Sequence, residues 1–224
     1  MSGRRATIER QPIENRLSHW LVAIATFGLI VSGMAQMPMA QRYKIAEVPG
    51  LAWTADFHFT LSLHYYAAAL LLFAVAYHVA YALFARRFAI LPRRGDFKES
   101  AQIISAMLGR GEEPPSHKYL AEQRLAYAFI GGSTLLVLAS GLVKVAKNLD
   151  GVLIDGGILW FATLVHNISA MLVIVGVVGH FAAFLFKANR ALLPAMMHGR
   201  VDREYAAERH SLWYAELEES DRAA

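Results

Sequence analysis

The nine histidines of this chain are unevenly placed: His19, His64, His78, His166 and His180 fall in or at the edge of long apolar stretches. The segment "LVHNISAMLVIVGVVGHFAAFLF", residues 164–186, holds no Asp, Glu, Lys or Arg, yet it carries imidazoles at 166 and 180. That spacing corresponds to about 21 Å of α-helix and returns the side chain to nearly the same face. In a hydrocarbon core roughly 30 Å thick, the two rings would lie near opposite edges. Ionisable groups in such helices need partners and mark functional pathways. A gapless shift of 102 positions lays His64 on His166 and His78 on His180. It also brings Ala68, Leu70, Leu83 and Phe84 onto Ala170, Leu172, Leu185 and Phe186. Ser32-Gly33 and Ser140-Gly141 form a weaker echo in the two preceding apolar stretches. The pattern predicts a repeated helix pair with histidines at two depths. Two depths suit two b-type haems, because bis-histidine ligation takes neutral imidazoles from different helices on opposite sides of the iron. A zinc site fits less well, since its helical ligands are typically four residues apart. Small residues at 67–69, 131–132 and 176 are expected to leave room for the macrocycle.

Positioning these imidazoles requires long apolar helices. Of the 224 residues, 56% are hydrophobic and 18% charged, and the apolar ones are concentrated in blocks, as in a membrane protein. Four charge-free stretches, 17–37, 57–85, 125–143 and 157–186, each reach the ~20 residues a spanning helix needs. The predicted fold is an all-α membrane protein, a four-transmembrane-helix bundle forming one domain over residues 1–224. Cysteine is absent, which excludes disulfides and iron–sulfur ligation within the chain. Arg4-Arg5 before an apolar stretch suggests a signal peptide, but no A-x-A-like site follows, so the first helix is expected to be retained. Lys and Arg alternate in abundance along the loops. The N-terminal segment, the loop 86–124 and the tail carry 18, and the other two loops carry 4. The positive-inside rule then puts both termini and the loop 86–124 in the cytoplasm of a bacterial-type inner membrane. Nucleic-acid binding is not needed to explain the basic residues. By this topology His64 and His166 lie at the outer level, and His19, His78 and His180 at the inner level.

Two polar segments read as amphipathic helices at the membrane surface. Residues 96–109 begin with Asp96 and Glu99 in capping-box spacing and put Ile103, Ile104, Met107 and Leu108 on one face. Pro114 and Pro115 end the pattern. Residues 202–217 read as a second such helix. His58, His117, His198 and His210 lie in loops or helix ends and are read as structural.

The motifs resemble the cytochrome b, or γ, subunit of membrane-bound formate dehydrogenases. The resemblance runs through "ENRLSHWLVAIATFGLIVSG", "LSLHYYAAALLLF", "KYLAEQR", "LVHNISAMLVIVGVVGH" and the tail "GRVDREYAAERHSLWYAEL". The helices alone would also fit the related cytochrome b of nickel–iron hydrogenases. The resemblance implies His19 and His180 as ligands of the inner haem, and His64 with His166 as ligands of the outer one. The residues by themselves leave His19 and His78 open for the inner iron, and the internal repeat favours His78. The resemblance also implies menaquinone, or another quinone, beside the inner haem near "KYLAEQR". There the usual asparagine and glycine are replaced by Leu120 and Glu122, while Lys118, Tyr119 and Gln123 remain. Glu122 is a candidate proton carrier or, equally, a carboxylate favoured by a helix start.

The implied function is electron transfer rather than bond-making at a substrate carbon. Electrons would pass from an iron–sulfur β subunit, fed by a molybdenum- or tungsten-containing catalytic α subunit, to a quinone-reduction site at the inner face. A contrasting reading is a haem-free transporter or membrane anchor in which the histidines relay protons.

Overall fold

The computed structural model describes residues 6–223. Arg4 and Arg5, counted above among the N-terminal cations, lie outside the described residues. Among the described residues, four helices are long and apolar enough to cross a membrane: α1 (Ile13–Ala35), α3 (Phe57–Phe84), α5 (Ala121–Ala146) and α6 (Gly156–Ala182), the last prolonged by a 3-10 turn at Ala183–Leu185. Their outward faces carry Phe73, Trp160, Phe161, Ile168 and Val175 in exposed positions. Such a surface suits lipid, where helices satisfy their own backbone and need no polar face. Between them lie α2 (Pro38–Arg42) and α4 (Asp96–Met107), and after them the short helices α7 (Lys187–Arg190), α8 (Leu193–His198), α9 (Arg203–Arg209) and α10 (Ser211–Ala223).

The described residues divide into two compact units, 14–86 and 6–13 with 87–223. In the first, α3 is capped by Asp56, whose carboxylate accepts from the Phe59 amide at 3.0 Å. Helices α1 and α3 come close at Gly28, where a Cβ would stand 3.2 Å from that of Ala67. The Gln36 amide joins them again, donating to the Thr60 carbonyl at 3.3 Å.

In the second unit α6 is capped by Asp155, which accepts from the Gly157 and Ile158 amides. It packs on α5 at Gly176, where a Cβ would lie only 2.7 Å from Ile130 Cγ1. Ala67 and Gly176 therefore sit at close helix contacts. At Gly131 and Gly132 a Cβ would meet nothing within 4 Å.

Helix α4 docks on the start of α5 through Ile103, Leu120 and Ala121, all fully buried. Ile104 and Leu108 stay exposed. Asp96 does not cap this helix as its spacing suggested. Gly95, in the left-handed region at φ 94°, precedes it. The Asp96 carboxylate instead accepts from Arg124 Nε at 2.9 Å and Nη2 at 2.5 Å, a buried bidentate pair. That partner holds its carboxyl below the ordinary carboxylate value.

A short strand β1 (Thr7–Glu9) pairs antiparallel with β2 (Arg200–Asp202), Ile8 opposite Val201. Ala195, Val201, Ala206 and Trp213 form a small core beneath it. The predicted tail helix over 202–217 is two helices, broken at His210, which is fully buried.

Candidate functional site

The two units contain the same local arrangement. In the first, His64 on α3 faces Ser32 on α1, with Nδ1 2.9 Å from the serine Oγ. The Ser32 hydroxyl donates to the Gly28 carbonyl one turn back, at 2.6 Å. Its hydrogen is thereby committed, so the contact to His64 is made by Nδ1–H donating to Oγ. Gly33 adjoins the ring, and a Cβ there would stand 3.4 Å from His64 Cε1.

In the second unit His166 on α6 faces Ser140 on α5, with Nδ1 3.3 Å from Oγ. Ser140 donates to the Leu136 carbonyl at 2.7 Å. The Val137 carbonyl lies 3.1 Å from the same Nδ1. A carbonyl only accepts, so His166 too carries its hydrogen on Nδ1. Gly141 adjoins the ring as Gly33 does, at 3.3 Å from Cε1. Both serines are buried. Sequence reading noticed the Ser-Gly echo and gave it no role.

His19 and His180 have aromatic surroundings. His19 lies edge-on to Trp20 with centroids 5.2 Å apart. His180, near the end of α6, is edge-on to Phe181 and Phe184. His78 lies on α3, half-buried.

Lys118, Tyr119 and Gln123 come together where the chain runs into α5. Gln123 accepts from the Leu120 amide at 3.3 Å, closing the first turn. Lys118 and the buried Arg10 both lie over the rings of Tyr119 and Trp213, Arg10 at 5.8 and 5.3 Å. Arg10 also donates to the Lys118 carbonyl. Burial and the adjacent Arg10 and Arg87 charges push the Lys118 ammonium down to about 8. Burial likewise pushes the Arg10 guanidinium down to about 10. Glu122 presents two buried carboxylate oxygens with no hydrogen-bond partner among the described residues. Arg209 Nη2 is 4.0 Å from one of them. Arg209 itself donates to Glu113 at 2.8 Å and Asn189 at 2.7 Å. His117 pairs with Glu216 at 2.9 Å. Sequence reading gave no local role to Arg10 or Arg209, whose partners Lys118 and Glu113 lie far along the chain; His210, read there as structural, is buried against the His117 carbonyl.

A profile describing prokaryotic cytochrome b561 matches residues 10–199. The chain belongs to that family. It is a multi-pass protein of the bacterial inner membrane and a cytochrome that carries haem b. It is also similar to the formate dehydrogenase cytochrome b556 subunit of Haemophilus influenzae, with 21% identity over 207 residues, covering 90% of this chain and 79% of that one.

The imidazoles of this cytochrome fit the cofactor. A neutral ring with hydrogen on Nδ1 presents its lone pair at Nε2, the state in which histidine ligates iron. A second partner on the Nδ1–H fixes that state and the ring plane. His64 and His166 both meet these conditions within their own units.

Proposed function

We propose that this cytochrome is the dihaem membrane subunit of a respiratory formate dehydrogenase complex, carrying electrons from an iron–sulfur partner to a quinone. The observation that carries the reading is the repeated serine–histidine–glycine arrangement, which supplies one neutral imidazole of fixed tautomer per helix pair. His64 and His166 would hold the outer haem, and His19 and His180 the inner one, with His78 as the alternative inner ligand. Haem supplies reversible one-electron exchange at its iron, while the chain binds, orients and tunes it. The excess of Lys and Arg in alternate segments supports cytoplasmic termini.

The relative in Haemophilus influenzae, described as a formate dehydrogenase subunit, supports a complex with an iron–sulfur β subunit and a molybdenum- or tungsten-containing α subunit. Menaquinone or another quinone would be reduced at the inner face beside Lys118, Tyr119 and Gln123. Glu122, buried next to Arg209, would hand on a proton there.

Haem content per chain of the purified protein tests the reading. Two haems b are expected in a pyridine assay. His166→Ala should remove one haem and leave the other, whose ligands lie about 21 Å of helix away. A content near zero would move the histidines to a proton relay, and retention of both haems in His166→Ala would break the pairing.

A further inference from the structure

Ser32 is fully buried on α1, and a serine at that depth commonly back-bonds to its own helix and does nothing more. Here it does more. With its hydrogen given to the Gly28 carbonyl, the oxygen turns a lone pair to His64 Nδ1 at 2.9 Å. The opposite tautomer would set two lone pairs against each other. Ser140 repeats the geometry toward His166, with its hydrogen given to Leu136 and Oγ 3.3 Å from Nδ1.

Two helix pairs of different sequence thus use the same three residue types. The glycine beside each serine completes the arrangement. An alanine methyl at Gly33 or Gly141 would press on Cε1 of the ring at 3.4 or 3.3 Å. Each ring is therefore held from two sides, by an acceptor at Nδ1 and by bare backbone at Cε1.

We propose that Ser32 and Ser140 are positioning residues that lock His64 and His166 in the Nδ1–H tautomer and set the redox potential of the haem those histidines hold. The inference rests on the reading of His64 and His166 as its ligands. An acceptor on Nδ1–H makes an imidazole a more basic ligand. A more basic ligand favours ferric iron, so each serine lowers the potential. The two are unequal. His64 lies nearer its serine, and the Val137 carbonyl also receives the His166 Nδ1–H, at 3.1 Å. Loss of Ser140 therefore leaves an acceptor in place.

Optical redox titration of the full-length protein, with haem content measured in parallel, tests this on wild type, Ser32→Ala, Ser140→Ala and Ser32→Thr. The expected result is two haems retained, with one potential raised in Ser32→Ala and raised less in Ser140→Ala. Ser32→Thr keeps the hydroxyl and should return that potential toward wild type. Loss of one haem in Ser32→Ala with retention in Ser32→Thr would equally support the hydroxyl's role. Full haem content with both potentials unmoved or lowered in Ser32→Ala would overturn the proposal. Equal haem loss in the Ala and Thr variants would also overturn it, since packing volume would then be the requirement. Wild-type protein without haem would overturn the ligand reading and this inference with it.

Discussion

His19 and His78 compete for one role, and their surroundings differ. His19 follows the buried Ser18 on α1 and rests edge-on against Trp20. His78 sits on the same helix as His64 and repeats the place of His180 in the sequence shift. His19→Ala is expected to lose the low-spin signal of one haem, because an iron with one imidazole is five-coordinate, and His78→Leu to keep it. Low-spin signal surviving in the first variant and lost in the second would reverse the assignment. Glu122 carries a second residue-scale prediction. If its buried carboxylate moves a proton to the quinone, Glu122→Gln should slow quinone reduction by about 100-fold or more, the scale of general acid–base catalysis. Haem content and haem reduction by dithionite should be unchanged. A wild-type rate would return Glu122 to a structural role beside Arg209. The placement of the five histidines on long apolar helices was legible because helix rise and bilayer thickness together set their depths. The serines were not, because back-bonding serines are ordinary in apolar helices and only the facing ring distinguishes these two. Arg10 was hidden for another reason: Tyr119 and Trp213 reach it only after folding.

At the scale of elements, the loop helix α4 is fastened to α5 by Arg124, which pairs with the buried Asp96 and, at 3.3 Å, with the part-exposed Glu99. Removing one partner strands the other charge in a dry environment, at a cost of roughly 3–5 kcal/mol. Arg124→Met should accordingly lower the thermal midpoint in detergent and expose residues 96–107 to protease. The double variant Asp96→Leu/Arg124→Met should recover much of the loss, because the only charge left without its partner, Glu99, is part-exposed. A single variant as stable as wild type would show that Ile103, Leu120 and Ala121 hold α4 unaided. The tail has its own fastening in His210, whose Nδ1–H donates to the His117 carbonyl at 2.8 Å. Burial and the charges of Arg10 and Arg209 push its imidazole down to about 3, although that hydrogen bond opposes them. Between pH about 6.5 and 3 the unfolded tail takes up a proton that the folded one refuses, so stability falls as pH drops through that window. His210→Gln keeps a donor and removes the titration, and acid-induced proteolysis of the tail should then flatten across the same range. An unchanged pH profile would place the acid-sensitive group elsewhere. These fastenings also explain what the sequence hid. Absence of charge marked where the four long helices lie, but α1 and α5 begin earlier than that criterion allowed, at Ile13 and Ala121. Their first turns carry Glu14 and Arg16, and Glu122 and Arg124, which a window excluding charge cannot admit. The break at His210 was equally hidden, since helical periodicity continues through it.

For the whole molecule, orientation decides what the chemistry achieves. Reducing a quinone consumes protons, and the side from which they come determines whether electron flow across the bilayer builds a potential. The basic loop 86–124 and the tail join in the second unit, where Arg209 bridges Glu113 and Asn189 and Ser116 accepts from the Leu212 amide. That contact puts the loop and the tail on one side of the membrane, independently of any count of charges. The proposal that this side is the cytoplasm rests on the count, since 18 of the 22 Lys and Arg residues lie in the N-terminal segment, this loop and the tail. Glu122 stands at the same end of α5 as this assembly; on the proposed function and orientation, the proton for the quinone would be drawn from the cytoplasm while the donor is oxidised outside. Reporter fusions test the orientation directly. A fluorescent protein fused after Ala224 or inserted at Gly111 should fluoresce, since it matures in the cytoplasm. Alkaline phosphatase fused after Val48 or Gly151 should be active, since it needs the oxidising side. Active phosphatase at Gly111 would invert the molecule, putting proton uptake and donor oxidation on exchanged sides and removing the charge asymmetry as a guide to topology.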